Sequence, residues 1–253
     1  MIWAIIPVKP LRESKSRLAG VLTTDERADL TSRLLQRTLT ILRQVPALDR
    51  VMVVSRDPVV LKIARQGGAM TLVEGDKPGL NTALRRAAYV AAAQWASGLL
   101  ILPCDLPLLT VADVEMMLTG AKPTNGLRPV NGHSNGHHLP NGQNGHHADP
   151  QNGHQPLNGH HTNGTNGHDA AANHQPRAMT ICPDHHEDGT NALFIQPGTD
   201  FAFHYGLGSF NLHLEEAKRQ NMFYRVVHAP GIKFDLDTEN DWSTYRTVAP
   251  QGL

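Results

Sequence analysis

The sequence has 253 residues, and its 23 Lys and Arg balance its 23 Asp and Glu, so the formal net charge is zero. This balance argues against a general nucleic-acid-binding protein, which would carry a basic excess, but it allows one nucleotide in a local basic pocket. Two cysteines, Cys104 and Cys182, are too few for a disulfide framework. The sequence shows no signal-peptide pattern and no apolar run of about 18 residues, so we expect a cytoplasmic protein with reduced thiols.

Residues 123–177 differ in composition from the rest of the chain. They hold ten of the 15 histidines and nine Asn-Gly pairs, with very few large apolar side chains. Such a segment cannot bury enough apolar surface to offset its ordering entropy, so we predict a disordered insertion that interrupts a single domain spanning 1–253. Because neutral histidine binds Ni²⁺ and Zn²⁺, the cluster also suggests adventitious metal binding, and a metal-buffering protein is a distant alternative function.

The first half of the chain alternates between predicted strands and helices. Apolar runs predict four strands, at 3–8, 51–55, 69–73 and 99–102. Helices are predicted after them, at about 24–45, 58–66, 80–95 and 111–120. Thr23 and Glu26 form a capping box, Asp57 precedes a proline at the first helical position, and Thr110 is a further N-cap. The third helix would carry Trp95 on its apolar face. Four successive β-α units predict a doubly wound, mostly parallel α/β sheet.

Beyond the insertion, three more strands are predicted, at 179–182, 192–195 and 223–227. Two more helices are predicted, at 210–220 and 238–248. Asp235 and Asp237 precede the last helix. If their segment is a strand, its alternation puts both carboxylates on one face, where both could approach one cation. In the alternative interpretation, one of the two aspartates is functional and the other caps the helix.

Two features of the first half suit a nucleotide. The loop after the first strand carries four cations, Lys9, Arg12, Lys15 and Arg17, and ligands of open parallel sheets bind beyond the carboxyl ends of strands. The alternative is a solvated basic loop. Asp105 follows the fourth strand, and Mg²⁺ in nucleotide sites is held by one or two carboxylates plus phosphate oxygens. The alternative there is a turn or cap aspartate.

A third feature, in the second half, suits an anion. Gly189-Thr190 and Gly206-Leu207-Gly208-Ser209 combine small residues with hydroxyls, and Ser209 would lie at a helix N-terminus, where the helix dipole favours an anion. The alternative is a plain capping serine. Histidines outside the insertion suggest no catalytic base: His185 and His186 fit a loop pair, and His213 fits packing or capping on its helix.

Seven segments in register resemble one known family. They are Ile-Pro-Val-Lys-x-Leu-x-x-x-Lys-x-Arg-Leu at 6–18, Val-Val-Ser-x-Asp at 53–57, Gly-Leu-Asn at 79–81, Asp-Leu-Pro-Leu-Leu at 105–109, Gly-Thr-Asn-Ala-Leu at 189–193, Tyr-Gly-x-Gly-Ser-Phe-x-x-His at 205–213 and Asp-x-Asp-Thr at 235–238. The sequence resembles the 2-phospho-L-lactate or phosphoenolpyruvate guanylyltransferases of coenzyme F-420 biosynthesis.

The resemblance implies a three-layer Rossmann-like nucleotidyltransferase fold of the nucleotide-diphospho-sugar transferase type. It implies Mg²⁺-dependent transfer of GMP from GTP to a small phosphorylated three-carbon acid, with release of pyrophosphate. Neither nucleic acid nor membrane is an expected partner, and a homodimer is left open. Another nucleotidyltransferase of this fold, acting on molybdopterin or a sugar phosphate, is the alternative, but such enzymes often begin with a glycine-rich loop that Ile6–Lys9 lacks.

The resemblance also implies roles for individual residues. Those implied for GTP binding are Lys9, Lys15, Arg17, Ser55 and Asn81, and the three cations are counted as catalytic together with Asp105. Those implied for the phospho-acid are Thr190, Gly206 and Ser209. Those implied for Mg²⁺ are Asp105 and one or both of Asp235 and Asp237. The sequence departs from the family pattern in the insertion and at His185-His186, where a basic residue is expected.

Overall fold

A computed structural model describes residues 1–75, 79–119, 177–198 and 200–249. The predicted insertion at 123–177 therefore falls, apart from Arg177, outside the described residues, and its predicted disorder stays a prediction. No helix in these described ranges is long and apolar enough to cross a membrane.

The first half of the chain consists of alternating strands and helices. These are β1 (Ile2–Pro7), α1 (Thr24–Leu42), β2 (Arg50–Ser55), α2 (Pro58–Gln66), β3 (Met70–Val73), α3 (Leu80–Ala93), β4 (Gly98–Ile101) and α4 (Val111–Thr119). Two short 3-10 turns, Leu11–Glu13 and Ser16–Leu18, shape the loop after β1. The predicted alternation is confirmed.

The second half adds three strands and three helices: β5 (Ala178–Pro183), β6 (Thr190–Gln196), α5 (Ser209–Arg219), β7 (Phe223–Val226), α6 (Pro230–Lys233) and α7 (Glu239–Val248). The seven strands form one sheet in the order β3-β2-β1-β4-β6-β5-β7. Strand β6 runs antiparallel to both of its neighbours, and the other described pairs are parallel. The mostly parallel α/β sheet is as predicted.

Helices cover both faces of this sheet, because its central strands are apolar on both sides. On β1, Trp3 and Ile5 point into a core with the alanines of α3 and with Phe210 of α5. Ala4 and Ile6 of the same strand point into the opposite core, against α1, α2 and α4. Alternate side chains of β1 therefore pack in two cores on opposite faces of the sheet. The sheet lies between two layers of helices.

Local capping chemistry fixes the predicted helix starts. The Thr23 hydroxyl accepts from the Glu26 N–H at 3.3 Å and the Glu26 carboxylate accepts from the Thr23 N–H, which completes the predicted capping box. The Asp57 carboxylate accepts from the Val59 N–H. Thr110 and Asp113 exchange the same pair of bonds at the start of α4. Each cap satisfies N–H groups that a helix leaves without internal partners.

Three details of the sequence prediction are wrong. Helix α1 ends at Leu42 rather than near Val45, because its last turn tightens into i to i+3 bonds ahead of Pro46. Trp95 lies beyond the end of α3, with a backbone φ of 67° and 84% of its surface exposed, so it packs on no helix face. Phe234–Asp237 forms no strand; the Leu236 N–H instead donates to the Asp105 carbonyl at 2.9 Å.

Candidate active site

The candidate active site lies at one edge of the sheet. The carboxyl ends of β1 and β4 meet there, since Ile5 and Ile101 are paired in register. Because β6 is antiparallel to β4, its amino end, Thr190, reaches the same edge. The antiparallel strand therefore brings the second-half motifs to the basic loop and Asp105, as ligand binding beyond parallel strand ends requires.

Lys15 and Asp105 form an ion pair at this edge, with Lys15 buried and Asp105 half-buried. Lys15 has left-handed backbone dihedrals (φ 55°, ψ 37°), and its Nζ lies 2.9 Å from Asp105 Oδ2. Only 5% of the Lys15 side chain is exposed, against 30% for Asp105. Burial alone would lower the pKa of Lys15, but the Asp105 carboxylate outweighs it, so the pKa of Lys15 is raised. Lys15 therefore holds a permanent positive charge below the protein surface.

Asp235 adds a second carboxylate beside Asp105. Burial, followed by the charge of Asp105, raises the pKa of Asp235, although the Asn191 amide donates to its Oδ1 at 3.1 Å. The same Asn191 nitrogen lies 2.9 Å from the Ile232 carbonyl, which ties β6 to the segment that carries Asp235. Two nearby carboxylates thus leave negative charge that a cation would offset.

The other three cations of the loop lie farther out. Arg12 pairs with Asp25 at 3.0 Å at the protein surface. Arg17 is 73% exposed in its side chain, and its Nη1 donates to Asp237 Oδ2 at 2.9 Å. Asp237 is not the helix cap considered from sequence, since Thr238 and Asp241 form the capping box of α7. Lys9 is exposed. Lys9 and Arg17 belong to the loop that carries Lys15, but their side chains are exposed rather than buried with it.

The carboxylates at this edge could supply some of the ligands of a Mg²⁺ ion, but not all of them. Among the described residues, no group of three or more His, Cys, Asp and Glu side chains is placed to hold a metal ion. Asp105 and Asp235 are nevertheless close enough for one charge to shift the pKa of the other. Their oxygens suit Mg²⁺, which takes one or two carboxylates and completes its octahedron with phosphate oxygens and water. Asp105 with either Asp235 or Asp237 is the pair of carboxylates that could hold it.

Thr190, which precedes Asn191 in β6, forms a hydroxyl pair with Ser209. Both are buried, and the Ser209 Oγ lies 3.4 Å from Thr190 Oγ1. Thr190 Oγ1 also lies 3.0 Å from Nδ1 of His213, a fully buried residue on α5. The sequence correctly predicts that His213 packs on its helix, but not that it contacts Thr190.

A glycine-rich loop leads into α5. Gly206 and Gly208 have φ of 136° and 70°, a backbone region that favours glycine, and Leu207 between them is 92% exposed. The Gly208 N–H donates to an Asp188 carboxylate oxygen at 3.1 Å, which docks the β5–β6 turn on the start of α5. Ser209 is the first residue of α5, so the hydroxyl pair lies at the positive end of the helix dipole.

Two predicted nucleotide residues hold backbone in place. Ser55 is buried at the end of β2, where its Oγ accepts from the Asp57 N–H at 3.1 Å. The Asn81 amide donates to the Tyr205 carbonyl at 3.0 Å and accepts from the Tyr205 N–H at 2.8 Å. Asn81 therefore positions the loop before Gly206, and its predicted contact with the nucleotide stays a prediction.

The cysteines supply no nucleophile here. Both are free, as the sequence predicts, and the structure shows that both are buried. Burial, followed by the charge of Asp105, raises the pKa of the Cys104 thiol to about 12, so it is protonated at neutral pH.

Similarity to known proteins agrees with this geometry. A nucleotide-diphospho-sugar transferase, so named, from Desulfovibrio desulfuricans G20 superposes with a TM-score of 0.64 at 13% identity, over 98% of this chain and 87% of that one. A nucleotidyl transferase from Methanothermobacter gives 0.59 at 12% identity, over 99% and 98%. At such identities the likeness shows the fold alone, and that fold is the predicted one.

Sequence similarity goes further. A phosphoenolpyruvate guanylyltransferase of Rubrobacter xylanophilus is 35% identical over 240 residues, which cover 95% of this chain and 91% of that protein. Residues 2–127 and 170–245 match the family described as "Guanylyl transferase CofC like", so both flanks of the histidine-rich segment take part. The chain therefore belongs to the CofC-like guanylyl transferase family.

Proposed function

We propose that this protein transfers GMP from GTP to phosphoenolpyruvate, or to the closely related 2-phospho-L-lactate, and releases pyrophosphate. The observation that carries the proposal is the adjacency of two unlike subsites at one sheet edge. Lys15 and Asp105 form a charged subsite suited to a polyphosphate, and Thr190 and Ser209 form a hydroxyl subsite suited to a small anion. Asn191, next to Thr190 in β6 and bonded to Asp235, joins the two.

The reaction needs no general base. A phosphate oxygen of the acceptor, ionised near pH 7, attacks the α-phosphorus of GTP and forms a new P–O bond. The bond from the α-phosphorus to the bridging oxygen breaks, and its electrons leave with pyrophosphate. Catalysis then depends on in-line positioning and on neutralising the repulsion between two anions. His213 does not act as a base here, because burial and then His204 lower its pKa to about 3.

The donor subsite supplies that neutralisation. Lys15 is held as a cation by Asp105, and the exposed Lys9 and Arg17 of the same loop would meet the β- and γ-phosphates. Mg²⁺, when bound by Asp105 with Asp235 or Asp237, would add a divalent charge at the transferring and leaving phosphates. The raised pKa of Asp235 supports this assignment, because a cation there would relieve the charge of Asp105.

The acceptor subsite combines the hydroxyls of Thr190 and Ser209 with the N-terminus of α5. Hydroxyls that donate to an anion make charge-assisted hydrogen bonds. The positive φ of Gly206 and Gly208 lets the backbone bend closely around a ligand of few atoms. The name of the Rubrobacter relative favours phosphoenolpyruvate as the acid. The family resemblance leads us to place the product in coenzyme F-420 biosynthesis.

The test is a product assay with the full chain. The protein is incubated with GTP, Mg²⁺ and, in turn, phosphoenolpyruvate, 2-phospho-L-lactate and 3-phosphoglycerate, and pyrophosphate release and product mass are measured. We expect acceptor-dependent pyrophosphate and a guanosine diphosphate-linked product with one of the first two acids. CTP, ATP and UTP serve as donor controls. Turnover only with a sugar phosphate or a molybdopterin acceptor would replace the proposal with the alternative nucleotidyltransferase function.

A further inference from the structure

His213 lies directly behind the acceptor subsite and bonds at both ring nitrogens. The backbone N–H of His204 donates to Nε2 at 3.0 Å, and Thr190 Oγ1 lies 3.0 Å from Nδ1. The residue is fully buried on α5, and its ring meets Tyr205 edge-on with 4.9 Å between centroids. The ring is thus fixed between a loop backbone and a subsite hydroxyl.

The two bonds determine the tautomer of the ring. A backbone N–H can only donate, so Nε2 of His213 must be the unprotonated, accepting nitrogen. A neutral imidazole carries its one proton on the other nitrogen, so Nδ1–H donates and Thr190 Oγ1 accepts. The two titratable groups that influence this ring most, His204 and Glu216, have opposing effects, but burial dominates and keeps the ring neutral at neutral pH.

The tautomer decides where the hydroxyl protons of the subsite point. Thr190 receives a hydrogen bond from His213, so its own proton must go elsewhere. The contact between Thr190 and Ser209, at 3.4 Å, uses at most one of their two hydroxyl protons. The other proton is left for a ligand.

We propose that His213 is a positioning residue that, through its Nδ1–H, sets the Thr190–Ser209 pair to donate a hydrogen bond to the acceptor anion. The proposal rests on the proposed function, since it assumes that the phospho-acid binds at this pair. It adds a residue that never touches substrate but determines the donor direction of those that do, as outer partners orient ligating groups in metal sites.

Two substitutions separate the two ends of the ring. In His213→Asn the amide nitrogen falls near the position of Nδ1 and keeps a donor for Thr190, while the acceptor for His204 is lost. In His213→Gln the longer side chain reaches the position of Nε2 and keeps that acceptor, while the donor for Thr190 is lost. Each variant therefore serves as the matched control for the other.

Steady-state kinetics with phosphoenolpyruvate and GTP then measure how much substrate binding depends on the Nδ1–H donor of His213. We expect His213→Gln to raise the KM for the acid by roughly tenfold or more, as loss of one hydrogen bond to an anion implies. The KM for GTP should change by less than about twofold, and His213→Asn should raise the KM for the acid clearly less than His213→Gln does. Equal effects of the two variants, or a larger effect of Asn, would overturn the proposal in favour of a packing role.

A second measurement needs no activity. With ¹⁵N-labelled histidine in the full chain, His213 is identified as the imidazole whose signals are missing from the spectrum of His213→Gln, and its one-bond N–H coupling is assigned to Nδ1 or Nε2. We expect Nδ1–H, and Nε2–H would overturn the proposal whatever the kinetics show. If the wild type turned over no phospho-acid at all, the proposed function would fail, while Nδ1–H would still support the bond to Thr190.

Discussion

Replacing Asp105 with Asn tests the charged centre of the site. The change removes one charge but keeps an oxygen within reach of Lys15 Nζ, which lies 2.9 Å from the carboxylate. Because Asp105 is the main cause of the raised pKa of Lys15, that pKa should fall. The pKa of Asp235 should fall as well, since the charge of Asp105 is one of the two causes that raise it.

The magnitude follows from burial. Removing one partner of a fully buried ion pair costs about 3–5 kcal/mol. The Asp105 side chain is 30% exposed, and the field of Asp237 still acts on Lys15, so we expect about 1–2 kcal/mol of lost stability. The effect on the reaction should be larger, at least about a hundredfold in kcat, because charge neutralisation and a metal ligand are lost together.

Urea denaturation and pyrophosphate release measure the two effects. The folded pKa of Lys15 is raised, so its stabilisation is complete below the unfolded value of 10.5 and is lost as the pH rises through the folded pKa. The stability gap between the variant and the wild type should thus be present at pH 7.5 and shrink above pH 10.5. Asp29→Asn, at an exposed ion pair with Arg33, is the matched control and should change neither quantity much. A folded Asp105→Asn protein with near-normal turnover would show that Asp105 is not part of the catalytic site.

Three further outcomes are expected. Thr190→Val and Ser209→Ala should each raise the KM for the phospho-acid by roughly tenfold or more with little change for GTP; a rise for GTP instead would mean that the two subsites are reversed. Glu216, whose pKa is lowered to about 2 by the Arg219 hydrogen bonds, stabilises the fold above its unfolded value of 4.5 and loses this effect as the pH falls towards 2. Glu216→Gln should therefore cost about 1–2 kcal/mol at pH 7 in urea melts, discounted for the exposure of Arg219, and little at pH 2; a cost independent of pH would contradict this account. Replacing 123–177 with a short linker should preserve guanylyl transfer and be neutral or mildly stabilising, since closing a loop of about 55 residues rather than about 5 costs roughly 2 kcal/mol; a folded but inactive deletion would show a catalytic role for the segment.

The sequence predicts best what short-range chemistry determines. Thr23, Asp57 and Thr110 begin their helices as predicted, because a cap needs only the next three or four residues. The apolar strands of the first half are also correct, since a buried parallel strand is apolar throughout. The prediction for Trp95 is wrong because it rests on periodicity alone. The helical pattern continues through this position, but the turn after Gln94 takes the chain out of the helix.

Contacts between residues far apart in the chain could not be predicted from the sequence. That Lys15 pairs with Asp105, 90 positions away, follows from the sheet order, which no local pattern contains. The same holds for His213, whose two partners lie 23 and 9 positions back. Asn191 was overlooked as a connector, although it stands in the Gly-Thr-Asn motif; a polar side chain inside an apolar strand was the signal that could have found it.

The single reversed strand also sets the order in which the molecule can be completed during synthesis. Strand β4 is buried along its whole length, with β1 on one side and β6 on the other. Strand β6 begins 89 residues after β4 ends, and at about 5–20 residues per second a ribosome needs roughly 5–18 s to make that stretch. Throughout this interval the nascent parallel half presents an unpaired apolar edge, which readily recruits other chains. Most of the delay comes from the histidine-rich segment, so shortening it should raise the yield of native protein from the cell even where the finished enzyme is unaffected.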